Sequence, residues 1–146
     1  MKMQRTLVLI TPDGVKKGLT EADVMAGSNL KVIKSRRMTP PWDVARKNYA
    51  EQEGKACKYY DVIKRNKYFY RTVLGISSGD VIAMIVESED AVMTMLKIIG
   101  YPDDPTTLRG KYANPDVMHE HLVRASDSIE SAKHDIRLWF SDYLFD

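Results

Sequence analysis

Four apolar segments along the chain predict four β-strands. Residues 6–11 and 81–86 are continuous apolar runs, which is typical of central strands covered on both faces. Residues 30–38 alternate apolar and basic side chains in part, and residues 122–124 form a short run that ends in a polar turn. Residues 12–14, Pro-Asp-Gly, predict a turn that ends the first strand.

Helices are predicted between these strands and after the last one. The first three predicted helices cover residues 20–27, 41–53 and 89–99. In the last helix, apolar residues recur at steps of three and four and would form one buried face, with members Ile129, Ala132, Ile136 and Trp139. The order strand, helix, strand, helices, strand, helix, strand, helix predicts a single α/β sandwich domain over residues 1–146.

The turn between the last strand and the last helix predicts a site for an anion. Asp127 is a good helix N-cap, and Glu130 three residues later can close a capping box. The unpaired backbone N–H groups and the helix dipole would point at the spot where the strand ends. A phosphate or a carboxylate is the kind of group that such a place holds.

The composition is that of an ordinary soluble domain. A chain of 146 residues with 44% hydrophobic and 29% charged residues is long and apolar enough for one core. The net charge of +2 is too balanced to indicate nucleic-acid binding by itself. The single cysteine, Cys57, excludes an internal disulfide and a cysteine-based zinc cluster. No segment reads as a signal peptide or a membrane span, so we expect a cytoplasmic protein without a membrane partner.

Two blocks of the sequence resemble the nucleoside diphosphate kinase family. Residues 5–19 are nearly identical to a family opening, RTLVLIKPDGVKRGL, and residues 121–132 match the frame of the family stretch NVIHGSDSVESA. Shorter matches to the family's HYAEH, Phe-Phe and TIRGD lie at residues 48–51, 68–69 and 108–110. The resemblance implies a ferredoxin-like α/β sandwich with a four-stranded antiparallel sheet, and it implies assembly as a homo-oligomer.

Five positions depart from the family pattern. Arg124 stands where the family has its phosphate-accepting histidine, and a guanidinium has no lone pair with which to attack a phosphate. Thr11 replaces a lysine, and Leu96 replaces an arginine of the phosphate clamp. His121 replaces an asparagine near the ribose, and Asp135 replaces a glutamate that orients the histidine. Each lost charge-assisted contact is worth roughly 1.5–3 kcal/mol, so the resemblance implies a lower affinity for phosphate.

The retained positions imply a nucleotide-binding cleft. By resemblance, Tyr49 is an active-site tyrosine and Phe69 is a ring that stacks on the nucleobase. Arg109 is a phosphate-contacting arginine, and Ser126 is the serine of the turn. Arg124 would hold a phosphate or, alternatively, pair with Asp135 or Asp127. Magnesium would arrive with the bound nucleotide.

Three functions stay open from the sequence. The first is a degenerate nucleoside diphosphate kinase-like protein with a weakened nucleotide cleft, because Arg124 argues against normal activity. The second is an active kinase that transfers the terminal phosphate directly or through His121, whose Cα we expect about 10 Å along the strand from that of Arg124. The third is a nucleic-acid-binding module that uses the basic and aromatic residues 58–71, which overlap an insertion relative to the family at residues 57–66. A solvated surface helix is the favoured interpretation of that stretch. His119 and His121 alone are too few ligands for a predicted metal site.

Overall fold

The computed structural model describes residues 3–48, 76–101, 103–112 and 122–143, and within them four strands form one sheet. The strands are β1 (Gln4–Ile10), β2 (Lys31–Met38), β3 (Val81–Ser88) and β4 (Val123–Ala125). Their order across the sheet is β2-β3-β1-β4, and all neighbouring pairs are antiparallel. The two continuous apolar runs occupy the two central positions, so the predicted ferredoxin-like arrangement is confirmed.

Six helices connect or follow the strands in the described ranges. They are α1 (Pro12–Lys16), α2 (Glu21–Met25), α3 (Trp42–Asn48), α4 (Ala91–Ile99), α5 (Leu108–Tyr112) and α6 (Ile129–Trp139). The predicted turn at residues 12–14 was wrong, because Pro12 opens a helix whose first turn needs no N–H at that position. The predicted helix at residues 41–53 begins at Trp42, and its part beyond Asn48 lies outside the described residues. None of these helices has the length and apolarity needed to cross a membrane.

Side chains of β1 point alternately into two separate cores. On one side, which we call the α6 face, strand residues pack against α3 and α6, with Leu7, Leu9, Ile85, Ile136 and Trp139 among the buried members. On the opposite side, the α4 face, strand residues pack against α2 and α4, with Val8, Ile10, Met84, Val24 and Met95 among the buried members. Burial on both faces explains why the two central strands are continuously apolar.

The start of α6 differs from its sequence prediction. Ser128, not Asp127, is the N-cap, because its side-chain oxygen accepts the N–H of Ser131 at 3.0 Å. The helix begins at Ile129, whose side chain is 53% exposed, so its predicted place in the core was also wrong. The buried face of the helix uses the remaining predicted positions, Ala132, Ile136 and Trp139.

Two core hydroxyl groups, those of Thr6 and Ser88, have no hydrogen-bond partner among the described residues. We expect Thr6→Val to increase the free energy of unfolding by about 0.5–1 kcal/mol, because it removes a buried unsatisfied polar group while keeping the side-chain shape. Urea denaturation of the two proteins measures the difference.

Thr107→Val is the matched control for this substitution. Thr107 is also buried, but its hydroxyl lies 3.1 Å and 2.8 Å from the carbonyl oxygens of Tyr101 and Asp104. Its loss should decrease the free energy of unfolding by about 1–2 kcal/mol. A destabilised Thr6→Val protein would mean that the Thr6 hydroxyl is satisfied in solution.

Candidate functional site

Arg124 lies in the middle of β4, on the edge of the sheet. It is the direct cross-strand partner of Leu9 in β1, and partners of this kind point to the same face. Arg124 therefore lies on the α6 face, whereas its neighbours Val123 and Ala125 pack into the core of the α4 face. This half-buried planar cation lies one residue before the end of the strand, which is followed by the turn that leads into α6.

Arg109 reaches the same strand from α5. Its Nη2 donates to the carbonyl oxygen of Val123 at 3.0 Å, which ties the side chain to the residue preceding Arg124. The packing of α5 against the loop that precedes it depends on Gly110, because a Cβ at that position would lie 1.6 Å from the carbonyl oxygen of Asp104. Of the two predicted phosphate-binding arginines, one thus bonds the backbone of Val123 and the other is the next residue of β4.

Ser126 is buried in the turn after β4 and connects that turn to α6. Its N–H donates to the carbonyl oxygen of Leu7 at 3.2 Å, and its hydroxyl donates to Asp135 Oδ2 at 2.7 Å. The other Asp135 oxygen lies 3.0 Å from His134 Nδ1. The described contacts of Asp135 are thus with Ser126 and His134, and the predicted alternative of a pair with Arg124 is not among them.

Burial raises the pKa of the Asp135 carboxyl, and hydrogen bonds from His134 and Ser126 oppose this shift. A raised native pKa means that the folded protein holds the proton more tightly than the unfolded chain does. This carboxyl therefore contributes most to stability below its unfolded pKa of about 3.9, and the contribution is lost as the pH rises through the native value.

We expect Asp135→Asn to stabilise the protein at pH 7, by a few tenths to about 1 kcal/mol, because the amide is neutral and its oxygen still accepts the Ser126 hydroxyl. The advantage should disappear below about pH 4, where the natural carboxyl is protonated in both states. Denaturation curves of both proteins between pH 3 and 8 measure this. A stability difference that does not change with pH would show that the charge is not its cause.

Thr11 and Leu96 supply no positive charge to the site. The buried Thr11 hydroxyl donates to the Asp13 carboxylate, and its N–H donates to the carbonyl oxygen of Leu122 at 2.9 Å. Leu96 lies half-buried on α4. Where the resemblance places a lysine and an arginine, this chain therefore has an internally bonded hydroxyl and an apolar side chain.

Asp13 is a residue that the sequence pattern did not single out as part of the site. Its carboxylate accepts hydrogen bonds from the Thr11 hydroxyl and from the N–H groups of Gly14 and Leu122, at 3.0 Å and 3.2 Å for the last two. The Thr-x-Asp spacing at the end of β1 is a local signal for part of this arrangement. The contact with Leu122, 109 positions away, had no signal in the sequence.

Several predicted residues lie outside the described part of the chain. They are Tyr49, Phe69, His121 and the stretch 57–71, and their roles stay predictions. Within the described ranges, no three side chains of histidine, cysteine, aspartate or glutamate come together as a metal site.

Residues 4–144 of the chain match the family model described as "Nucleoside diphosphate kinase". The sequence is 35% identical over 146 residues to a nucleoside diphosphate kinase of Saccharolobus islandicus, and the match covers 96% of each chain. It is also 35% identical to a nucleoside diphosphate kinase of Listeria monocytogenes, over 95% of this chain and 90% of the relative.

The fold is also similar to solved structures of nucleoside diphosphate kinases. A halophilic nucleoside diphosphate kinase from Halobacterium salinarum, in complex with CDP, superposes with a TM-score of 0.81 at 30% identity, over 99% of this chain and 93% of the other. An NDP kinase from Pyrobaculum aerophilum superposes with a TM-score of 0.78 over 95% and 96% of the two chains. At 23% identity, the second likeness shows the fold alone.

Proposed function

The chain belongs to the nucleoside diphosphate kinase family, and from this premise we propose that it is a degenerate member that binds a nucleotide but forms no phosphohistidine. The observation that carries this proposal is Arg124 in β4, because the family frame places the phosphate-accepting histidine at that residue. A guanidinium is protonated at any working pH and cannot attack the terminal phosphate. The reaction of intact members begins with that attack.

Retained positive charge at β4 supports nucleotide binding. Arg109 donates to the carbonyl oxygen of Val123, and Arg124 is the next residue of the strand. A guanidinium presents its N–H donors in a fork that matches phosphate oxygens. The eleven-residue helix α6 begins five residues after Arg124, and the start of a helix attracts anions. These groups would hold the terminal phosphates of a nucleoside di- or triphosphate.

The remaining parts of the nucleotide are assigned by resemblance. We propose that Phe69 stacks on the base, that Tyr49 contributes to the cleft and that Ser126 acts through the turn before α6. Magnesium would be carried by the phosphates of the nucleotide and would screen their charge, without ligands assigned to this chain. We also propose that the protein is a cytoplasmic homo-oligomer, which light scattering of the purified protein would test.

Titration calorimetry with Mg-ADP tests whether Arg124 binds phosphate. Arg124→Ala should weaken the affinity by roughly 10- to 100-fold, since a charge-assisted contact is worth about 1.5–3 kcal/mol. The matched control is Arg37→Ala, because Arg37 lies exposed on β2 and pairs with Asp80 at 3.0 Å. This control should leave the affinity unchanged. An Arg124→Ala protein with natural affinity would contradict the proposed binding mode.

Incubation with γ-labelled ATP tests for the missing chemistry. We expect no stable label on the natural chain. A label that disappears in His121→Ala would instead establish an active kinase with a displaced histidine, and it would overturn the degenerate assignment.

A further inference from the structure

Leu122, immediately before β4, has a backbone conformation that leucine rarely adopts. Its φ angle is 62°, and in the described parts of the chain it is the one residue other than glycine with a positive φ. A left-handed leucine brings its Cβ close to the following carbonyl oxygen, so the surroundings must hold it there. Because Leu122 precedes Arg124 by two residues, the contacts that hold Leu122 also determine how β4 begins.

The start of α1 holds both peptide groups of Leu122. The N–H of Leu122 donates to Asp13 Oδ2 at 3.2 Å, and its carbonyl oxygen accepts the N–H of Thr11 at 2.9 Å. The helix lies directly against that carbonyl, because a Cβ at Gly14 would be 2.3 Å from the Leu122 oxygen. The leucine side chain is fully buried in the core of the α4 face.

Thr11 orients the carboxylate that makes this contact. Its hydroxyl donates to Asp13 Oδ1, which also accepts the N–H of Gly14 at 3.0 Å. Oδ1 therefore accepts hydrogen bonds from the start of α1, and Oδ2 accepts the hydrogen bond from Leu122. Where the resemblance places a lysine, this chain has a hydroxyl that fixes a carboxylate.

The shortness of β4 makes this anchoring necessary. The strand has three residues, and its register rests on the pairs Val8↔Ala125, Leu9↔Arg124 and Ile10↔Val123. A slip of one residue would move the Arg124 side chain to the apolar α4 face. The bond from Ser126 N–H to the Leu7 carbonyl oxygen holds the far end of the strand, and Asp13 holds the near end through Leu122.

We propose that Asp13 is a positioning residue of the phosphate site: together with Thr11 it holds Leu122 in the left-handed conformation and so keeps Arg124 in register on the α6 face. This inference rests on the proposed function, since the anion that Arg124 binds is there the phosphate of a nucleotide. Asp13 acts through Arg124 and makes no contact with the nucleotide itself.

The binding test uses titration calorimetry with Mg-ADP on the full chain. Thr11→Val and Asp13→Asn should each weaken the affinity about tenfold, because a loosely held arginine loses its charge-assisted contact. Thr11→Ser keeps the hydroxyl and should bind within about twofold of the natural chain. In an Arg124→Ala background, Asp13→Asn should cause no further loss, as expected for a residue that acts through Arg124.

A second threonine–aspartate pair provides the matched control. The Thr20 hydroxyl donates to Asp23 Oδ2 at 3.0 Å at the start of α2, with no described contact to β4. Thr20→Val and Asp23→Asn should destabilise the protein as any lost helix cap does, but they should leave the affinity within about twofold. Equal losses of affinity from both pairs would reduce Asp13 to a general folding role and overturn the proposal.

Amide hydrogen exchange without nucleotide separates this inference from the proposed function. Asp13→Asn should accelerate exchange at residues 123–125 at least about tenfold, whereas Asp23→Asn should not. Unchanged exchange in Asp13→Asn would overturn the positioning role even if nucleotide binds well. If the natural chain binds no Mg-ADP, the proposed function fails, while faster exchange in Asp13→Asn still supports the hold of Asp13 on β4.

Discussion

Combined replacement of Thr11 by lysine, Leu96 by arginine and Arg124 by histidine is expected to produce a phosphoenzyme that the natural chain does not form. The histidine supplies the nucleophile, and the two new cations supply the phosphate contacts that the family has at these positions. Lysine lacks the threonine hydroxyl that donates a hydrogen bond to Asp13, but its ammonium group can donate to the same carboxylate. Acid-labile label transferred from γ-labelled ATP, and then released to a nucleoside diphosphate, measures the gain.

Arg124→His alone should label far more slowly than the triple variant. Without the lysine and the arginine, it lacks two charge-assisted contacts worth together about 3–6 kcal/mol, which corresponds to a factor of about 10²–10⁴ in rate. Arg37→His on the exposed strand β2 is the control, and it should take up no label. A triple variant that binds Mg-ADP but stays unlabelled would show that these three positions do not restore the site.

Gly110→Ala is expected to destabilise the protein by about 2–3 kcal/mol and to weaken nucleotide binding. Alanine normally stabilises a helix relative to glycine by up to about 1 kcal/mol. Here a Cβ would lie 1.6 Å from the Asp104 carbonyl oxygen and 2.9 Å from the backbone nitrogen of Pro105, so the overlap with rigid backbone decides the sign. The displaced helix would carry Arg109 away from the Val123 carbonyl oxygen. Urea denaturation and calorimetry with Mg-ADP measure the two effects.

Gly79→Ala is the matched control for this prediction. A Cβ at Gly79 would meet Pro12 at 3.6 Å, an ordinary contact, so its stability should change by less than about 0.5 kcal/mol. If Gly110→Ala proves as stable as Gly79→Ala, then α5 adjusts without strain, and the close approach of Gly110 to Asp104 does not hold Arg109 in place.

Residue patterns were sufficient to predict the two central strands and most helices. The continuous apolar runs in β1 and β3 predicted burial on both faces, and Gly100, with a φ of 58°, ends α4 immediately after the predicted last helical residue. These features are local, because hydrophobic spacing and glycine each act within a few residues. The same locality explains one error: Asp127 and Ser128 both suit a helix N-cap, and sequence preference alone could not decide between them.

By itself, the sequence determined that this chain has a two-faced α/β domain of a known family, and that an arginine stands in place of the phosphate carrier. Only the tertiary structure decided how that arginine is held. The face of Arg124 follows from its register with Leu9, and the contact of Asp13 with Leu122 joins residues 109 positions apart. Local propensity carries no information about which distant backbone groups meet, because that depends on how the packed helices and strands bring them together.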